Sequence, residues 1–528
     1  MREATELFNI TASSSEDLAS PRGTLNAGGD HGRTAAKTQS PRRSLSAIVL
    51  TGSATLVFSS VFTRLLSFPA SMYLTRRLGP GPYGEMALIG TATSLASSAA
   101  IMGLDVGYAR FGRGTDGIRG DAVERFCWGV ASAAAVAVGL VAALSYFAFS
   151  PSDPSLSSRG ILPAVVCIQT ILMVMTTMAV TRLRVNGAYG RIAISAVASG
   201  LMGAAINLLL AWKWRQDAWP LVIGLLGGSI LQVALLGVPS VSTSFTDWPP
   251  RKDQLKIMAV GWALVMTAPG YWVMASSDRW LITHFFGTAT TGIYNFGAQF
   301  GLLAQFVSTA VTTTWLPEVV QITDENTSDA PALVGKAWDR VSLLFMITWL
   351  GLSLFGPELI HLIAANAFFA GSGVVAPIAA GALFNGLVQF GMTGLVLEGK
   401  TSRALVPALT CAAASVGANL VAMPWLGWQS AAYVNALTFL VLALWLIRRS
   451  NTALTLRIRW TRLTFVAMGL VAIVGLARLT LAEGTLTAFS IKTLLFLAAG
   501  SAAALAIEGI TGIARLLSSA RRLLPEAA

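Results

Sequence analysis

Apolar runs long enough to cross a lipid bilayer recur along nearly the whole of this 528-residue chain. A membrane-spanning helix needs roughly 18 or more such residues, and each run reaches that length. Only 12% of the residues are charged, about half of the share in soluble domains, so they cannot cover a water-facing surface of this size. The pattern predicts an all-α polytopic membrane protein with about fourteen transmembrane helices.

The predicted helices follow a polar segment and are joined by short loops. Residues 1–44 are rich in Ser, Thr, Gly, Ala and Arg, which is typical of a disordered tail. The predicted spans cover residues 45–75, 83–104, 125–149, 160–181, 191–212, 219–241, 257–286, 291–316, 338–357, 371–397, 402–424, 429–447, 463–482 and 488–513.

Lysine and arginine are distributed unequally between the two sides of the predicted membrane. With the N terminus inside, 28 of the 37 Lys and Arg residues fall in inside segments, 7 fall in outside loops and two lie within spans. Cytoplasmic loops carry the excess of positive charge, so both termini are predicted to be cytoplasmic. The net charge of +12 is therefore explained by the positively charged cytoplasmic segments of a membrane protein, and no nucleic-acid partner is predicted.

A turn between two predicted helices recurs 208 residues later in the chain. Gly79 and Gly84 of the first turn correspond to Gly287 and Gly292 of the second. The repeat predicts two parallel six-helix bundles, at 45–256 and 257–449, around a central cavity that holds the substrate. Residues 450–528 then form two additional helices and a cytoplasmic C terminus.

Arg64 is the most conspicuous polar residue within a predicted span. A charge at the centre of a membrane helix costs at least about 2.5 kcal/mol to insert, so it usually has a function or a partner. A guanidinium binds phosphate through two parallel hydrogen bonds, which favours an anionic ligand. The alternative is that Arg64 extends to the membrane interface as an anchor.

Four further polar residues within predicted spans are candidates for substrate binding. Asp278 and Arg279 are adjacent and point about 100° apart on a helix, so at least one can face the interior; otherwise they form an interfacial pair. Asn385 and Gln389 are four residues apart and share a helix face. They either bind sugar hydroxyls or form hydrogen bonds between helices.

The sequence contains no set of residues typical of an enzyme active site. Cys127, Cys167 and Cys411 are far apart in the chain, and neither histidines nor carboxylates show metal-ligand spacing. A Walker A motif is absent, and no outside loop is large enough for a transferase or polymerase site. We therefore predict a protein that is not an enzyme and needs no cofactor or metal.

Several short motifs resemble those of bacterial oligosaccharide flippases, which are polysaccharide transporters of the multidrug/oligosaccharidyl-lipid/polysaccharide exporter superfamily. The resemblance runs from about Ser46 to Ile510 and rests on the order and spacing of the motifs. These are Arg77-Leu78-Gly79-Pro80 with Tyr83-Gly84, Gly103-Leu104-Asp105 with Arg110, Asp278-Arg279, Gly287 with Gly292-Ile293-Tyr294, and Glu398-Gly399-Lys400 with Asn419-Leu420 and Leu426-Gly427.

The resemblance implies a flippase of the bacterial cytoplasmic membrane. Its substrate would be a polyprenyl-diphosphate-linked oligosaccharide for cell-surface polysaccharide biosynthesis, moved from the inner to the outer leaflet by alternating access. Partners would include membrane lipids, a coupling ion or the membrane potential, and polysaccharide-assembly machinery. The turn and gating residues would be Gly79, Tyr83, Gly84, Asp105, Gly287 and Gly292.

Other functions within and beyond that superfamily remain open at this stage. An ion-coupled multidrug exporter needs an interior carboxylate, which the middles of these helices almost lack. A flippase for the peptidoglycan precursor tends to carry more cavity arginines. A polysaccharide polymerase or ligase needs a large outer loop with catalytic residues.

Overall fold

The structure is a computed structural model that describes residues 59, 62–63, 69–114, 117–149, 162–213, 217–238, 247–324, 330–397, 401–450, 458–481 and 483–523. All regular structure in these ranges is helical. The helices are α1 (69–78), α2 (Pro80–Ile101), α3 (Leu104–Phe111), α4 (Gly120–Phe149), α5 (Leu162–Val185), α6 (Tyr189–Lys213), α7 (Trp219–Leu236), α8 (Arg251–Gly301), α9 (Ala304–Asp324), α10 (Ala330–Ile363), α11 (Val375–Leu397), α12 (Leu405–Leu426), α13 (Ser430–Ser450), α14 (Trp460–Thr480) and α15 (Leu486–Leu523). Short 3₁₀ helices at Asn366–Val374 and Thr401–Ala404 precede α11 and α12.

The prediction of an all-α membrane protein is confirmed. Within the described ranges, 10 helices, α4–α7 and α10–α15, are long and apolar enough to cross a membrane. The pair α2 and α3, which is bent by 48°, would make an eleventh span. The total of fourteen spans and the boundaries of the four segments remain predictions, and the tail at 1–44 lies outside the described residues.

Glycine marks the sharp breaks in the helices. Helix α8 has a non-helical residue at Gly287, α15 has one at Gly509, and α2 is separated from α3 by Met102 and Gly103. Pro377 is the third residue of α11, a position at which a proline leaves no intrahelical hydrogen bond unmade. Pro269 lies inside α8, but the non-helical dihedrals of that helix are at Gly287.

Some predicted helices differ from the observed ones in their limits. The predicted helix 291–316 is two segments, because a turn at Leu302 and Leu303 separates the end of α8 from α9. The predicted helix 371–397 begins as the 3₁₀ helix Asn366–Val374 before it continues as α11. Both differences fall within apolar sequence, where hydropathy does not distinguish one helix geometry from another.

The helices pack as two bundles that share one long contact. Helices α4, α5 and α3 form an apolar core around Trp128 and Phe126, and α9–α13 form a second core around Trp315 and Phe390. Helix α2 of the first bundle packs along α8 of the second. Helices α14 and α15 pack against α10, so they extend the second bundle.

Candidate functional site

The contact between α2 and α8 is a seam that is closed near one end by two facing glycines. A methyl group on Gly84 would lie 1.9 Å from the carbonyl oxygen of Thr288, and one on Gly292 would lie 1.8 Å from that of Pro80. Carbon and oxygen cannot approach so closely, so only glycine permits this backbone contact. We call these two glycines the outer clasp, because the predicted topology places this end outside.

A second pair of glycines closes the other end of the seam. A methyl group on Gly103 would lie 2.6 Å from Cα of Gly261, and one on Gly261 would lie 2.4 Å from the carbonyl oxygen of Gly103. The neighbouring turn continues the contact, since Gly107 packs against Ile257. Gly103 and Gly261 form the inner clasp, about 28 Å along α2 from the outer one, which is close to the ~30 Å thickness of a bilayer core.

Two tryptophans of α8 bind one threonine of α2 between the clasps. Trp272 Nε1 donates to the Thr91 carbonyl oxygen at 3.1 Å. Trp280 Nε1 donates to the Thr91 hydroxyl oxygen at 3.0 Å. These bonds cross between the two bundles, so any separation of α2 from α8 at this level must break them.

Aromatic rings cover the outer clasp. The Tyr83 ring lies edge-on to Phe296 of α8 and Phe368 of the 3₁₀ helix, with centroid distances of 5.8 and 5.3 Å. Tyr83 follows the Gly79–Pro80 turn and precedes Gly84, so one short segment of α2 supplies both the clasp and its cover. Edge-to-face pairs of this kind stabilise a contact by about 0.5–1.5 kcal/mol beyond the buried area.

The two turns of the predicted repeat have the same backbone geometry. Gly79 has φ 77° and ψ −179°, and Gly287 has φ 83° and ψ 169°. A positive φ with extended ψ is open to glycine and strained for other residues. Each turn therefore starts a helical segment, and the fifth residue of each segment is a clasp glycine, Gly84 or Gly292.

A buried ion pair in α8 forms hydrogen bonds across the break at Gly287. Asp278 is 2% exposed and Arg279 is 8% exposed, and Arg279 Nη1 lies 2.9 Å from Asp278 Oδ1. The Tyr294 hydroxyl donates to Asp278 Oδ2, and Arg279 Nε donates to Asn295 Oδ1 at 3.1 Å. Both partners lie beyond Gly287, so the pair joins 251–286 to 288–301.

The remaining candidate residues lie apart from this ion pair. Asn385 is half-buried on α11 with an enclosed side-chain oxygen that has no hydrogen-bond partner among the described residues, whereas Gln389 is exposed. The described contacts of Asp278 and Arg279 include neither of them. Asp105 is half-buried in the first turn of α3, beside the inner clasp. Arg64 lies outside the described residues, so its role remains a prediction.

The sequence pattern of the polysaccharide biosynthesis protein family matches residues 73–370, which is more than half of the chain. This chain belongs to that family. The matched range includes the clasp glycines, both tryptophans and the Asp278–Arg279 pair. A comparison with curated protein sequences gives no match.

Solved structures with the same fold are transporters. The lipid II flippase MurJ, in an inward closed conformation, superposes with a TM-score of 0.66 at 12% identity, over 85% of this chain and 97% of that one. An inward-facing multidrug resistance MATE family transporter of the MOP superfamily gives 0.53 at 13% identity, over 74% and 94%. Its outward-facing counterpart gives 0.50 at 12% identity, over 78% and 96%. At these identities the similarity shows the fold alone.

Several residues of this family member were not found from its sequence. Trp272 and Trp280 were not recognised as partners of Thr91, because the contact joins residues more than 180 positions apart. Lys492 was not singled out either, although α15 begins at Leu486 and buries it. The available signal was a lysine inside an apolar run, the same signal that singled out Arg64.

Proposed function

We propose that this protein is a flippase that moves a polyprenyl-diphosphate-linked oligosaccharide across the bacterial cytoplasmic membrane for cell-surface polysaccharide biosynthesis. The observation that carries the proposal is the seam between the two bundles. Its two glycine clasps stand about one membrane thickness apart. A transporter that alternates between two sides needs a contact at each face that can close fully and then separate.

The chemistry of the seam suits repeated opening. Between the two clasps of glycine backbone, two hydrogen bonds from α8 converge on Thr91 of α2. Opening one clasp while Thr91 stays bound would rock one bundle against the other about the middle of the seam. The conformation described here, with both clasps closed, would then correspond to an occluded intermediate of the cycle.

The substrate would be bound by cationic and amide side chains. Arg64 is proposed as the main ligand of the diphosphate, because a guanidinium forms paired, charge-assisted hydrogen bonds with phosphate oxygens. Arg279 would contribute only if it left Asp278 and Asn295. Asn385 and Gln389, one turn apart on the same face of α11, would form hydrogen bonds with sugar hydroxyls.

The proposal also includes the topology, the energy source and the partners of the protein. Both termini would be cytoplasmic, following the excess of Lys and Arg in the inside segments. A coupling ion or the membrane potential would supply the energy, and polysaccharide-assembly machinery would receive the product. The protein would carry out transport alone, without breaking or forming covalent bonds.

Reconstitution tests the proposed activity directly. Full-length protein is placed in proteoliposomes with a fluorescent polyprenyl-diphosphate oligosaccharide, and arrival in the outer leaflet is followed by quenching with a membrane-impermeant reagent. We expect time-dependent translocation that protein-free vesicles lack. Export of cationic drugs without oligosaccharide movement would assign the multidrug class instead, and selective movement of the peptidoglycan precursor would assign that substrate.

Arg64 is tested separately in a host that makes the matching polymer. Arg64→Ala should reduce polymer output at least about tenfold, because a charge-assisted contact to the diphosphate is lost, and Arg64→Lys should retain part of it. Arg76→Ala, an exposed arginine at the Gly79 turn, is the matched control. Wild-type output from Arg64→Ala at normal expression would remove Arg64 from the mechanism while leaving the transport activity itself intact.

A further inference from the structure

The last turn of α6 receives two hydrogen bonds from an arginine that lies 134 residues or more earlier in the chain. Arg77 Nε donates to the Ala211 carbonyl oxygen at 3.3 Å, and Arg77 Nη2 donates to the Trp212 carbonyl oxygen at 3.1 Å. Carbonyls in the last turn of a helix have no partner within that helix, and a cation at this end also interacts favourably with the helix dipole. The guanidinium of Arg77 therefore caps the C terminus of α6.

Arg77 belongs to the turn that forms the outer clasp. Two residues after it, Gly79 has the positive φ that precedes α2. Three residues after it, the Pro80 carbonyl faces Gly292 of α8. The turn thus has two partners, the glycine backbone of α8 on one side and, through Arg77, the end of α6 on the other.

The two partners of this turn belong to different bundles. Helix α6 packs along α7, and α7 packs against α5, so the hydrogen bonds of Arg77 stay within the first bundle. The apolar contacts around the turn join both bundles, because Leu78 and Ala211 share a buried cluster with Phe296 and Phe368. Hydrogen bonds from a charged donor are directional and stronger than those between neutral groups. They favour retention of the turn by the first bundle.

The second turn of the repeat is braced in another way. The residue that corresponds to Arg77, 208 positions later, is Phe285, an exposed aromatic residue. Across Gly287, the hydroxyl groups of Thr283 and Thr291 form a hydrogen bond of 2.7 Å. The second turn is thereby held within α8 itself, whereas the first turn is tied to another helix.

We propose that Arg77 is a positioning residue of the transport cycle. It keeps the Gly79 turn on α6, so that the turn leaves α8 together with the first bundle when the outer clasp opens. This inference rests on the alternating-access function proposed above. Without Arg77, the glycine contacts would hold the turn on α8 while the rest of the first bundle moved away. The turn would then obstruct the outer side, and release of the substrate would slow.

Spin-label distances in the full-length protein test this role. The three native cysteines are replaced by alanine, and labels are placed at Gly81 of the turn together with either Leu209 of α6 or Ala289 of α8. An added side chain at Gly81 meets nothing within 4 Å, and the other two positions are exposed. Electron paramagnetic resonance in lipid nanodiscs records each distance without substrate and with a polyprenyl-diphosphate oligosaccharide, a cationic drug or the peptidoglycan precursor.

Wild type and the Arg77 variants should differ in which distance changes. In wild type, we expect substrate to lengthen the Gly81–Ala289 distance and to leave the Gly81–Leu209 distance unchanged. Arg77→Gln should reverse this pattern and slow translocation about tenfold, as expected for the loss of roughly one charge-assisted contact. Arg77→Lys keeps the charge without the paired donors and should restore part of both effects, which also covers the case in which the glutamine variant fails to fold. Arg76→Gln, at the exposed neighbouring arginine, should match wild type.

Three results would overturn the role of Arg77. Arg77→Gln could keep the wild-type distances, or it could lengthen both distances alike, which would indicate a general loss of structure. The Gly81–Ala289 distance of wild type could also stay short with all three substrates. Failure of the proposed function looks different: a wild type that opens with another substrate and does not move the oligosaccharide would overturn the substrate assignment and leave the role of Arg77 intact.

Discussion

Two long contacts between helices in this protein are held together by different kinds of interaction. The seam between α2 and α8 is closed at both ends by glycine backbone, with hydrogen bonds to Thr91 between the two clasps. The contact of α10 with α14 and α15 is held by ion pairs at both ends, including the buried Glu358–Lys492 pair. Separation of the glycine contacts breaks no ion pair between them, whereas separation of the second contact would leave the buried Glu358 and Lys492 unpaired. The difference indicates which parts of the protein move apart and which move together.

The largest expected effect comes from breaking the ion-paired contact. Lys492→Met leaves the Glu358 carboxylate buried without its cation, which should lower the free energy of unfolding by about 3–5 kcal/mol. Thermal unfolding of the purified protein measures this as a fall in the apparent Tm. The double variant Glu358→Gln/Lys492→Met should recover much of the loss; an equal loss in both variants would contradict the assignment of the effect to an unpaired charge.

The next largest effect is expected at the brace across the Gly287 break, by which we mean the Asp278–Arg279 pair with its partners Tyr294 and Asn295. Tyr294→Phe removes a hydrogen bond to the charged Asp278, which should cost about 1.5–3 kcal/mol. The effect is expected on stability and on transport together, because the brace fixes the angle of the segment that carries Gly292. Tyr271→Phe, a half-buried tyrosine on the same helix, is the matched control. Similar losses in both variants would show that the hydroxyl on Asp278 has no special role.

Gly84→Ala tests whether the outer clasp must close. The added methyl group meets the Thr288 carbonyl at 1.9 Å, and overpacking of this kind costs about 1–3 kcal/mol. We expect a roughly tenfold loss of transport and faster labelling of a cysteine placed beside the clasp. Gly90→Ala on the same helix meets nothing within 4 Å and should transport normally. Normal transport by both variants would mean that the seam is not a gate.

The smallest effect is expected between the clasps. Thr91→Val retains the carbonyl acceptor for Trp272 and loses the hydroxyl acceptor for Trp280, a change of about 0.5–1.5 kcal/mol. If the bond favours the closed seam, the variant should open more often, which cysteine accessibility at both ends would report. Thr93→Val, whose hydroxyl bonds within its own helix, should behave as wild type. A seam that closes more tightly in Thr91→Val would reverse the assigned role.

Much of the fold was accessible from the sequence because the bilayer imposes a strong pattern. Apolar length alone located helices such as α6 and α13 to within a few residues, and the repeated glycines identified two turns that share one backbone geometry. Where a helix breaks was harder to predict. The sharp breaks in the described helices fall at glycines, and hydropathy does not reveal which glycines adopt a positive φ.

The site was predictable only in part, for a physical reason. Asp278 and Arg279 were recognisable as charges in an apolar run, but the partners Tyr294 and Asn295 depend on how the helix folds back after Gly287. Likewise, Gly84 and Gly292 were recognised as turn residues, and their contact with each other followed only from the packing of two bundles. Pairings over long sequence distances carry no local signature.

The clasps consist of peptide backbone, and this composition has a consequence for the conditions under which the protein works. Peptide groups do not titrate, and contacts between uncharged groups are not weakened by dissolved salt. The glycine contacts themselves are therefore expected to be equally tight in acidic and neutral surroundings and at low or high ionic strength.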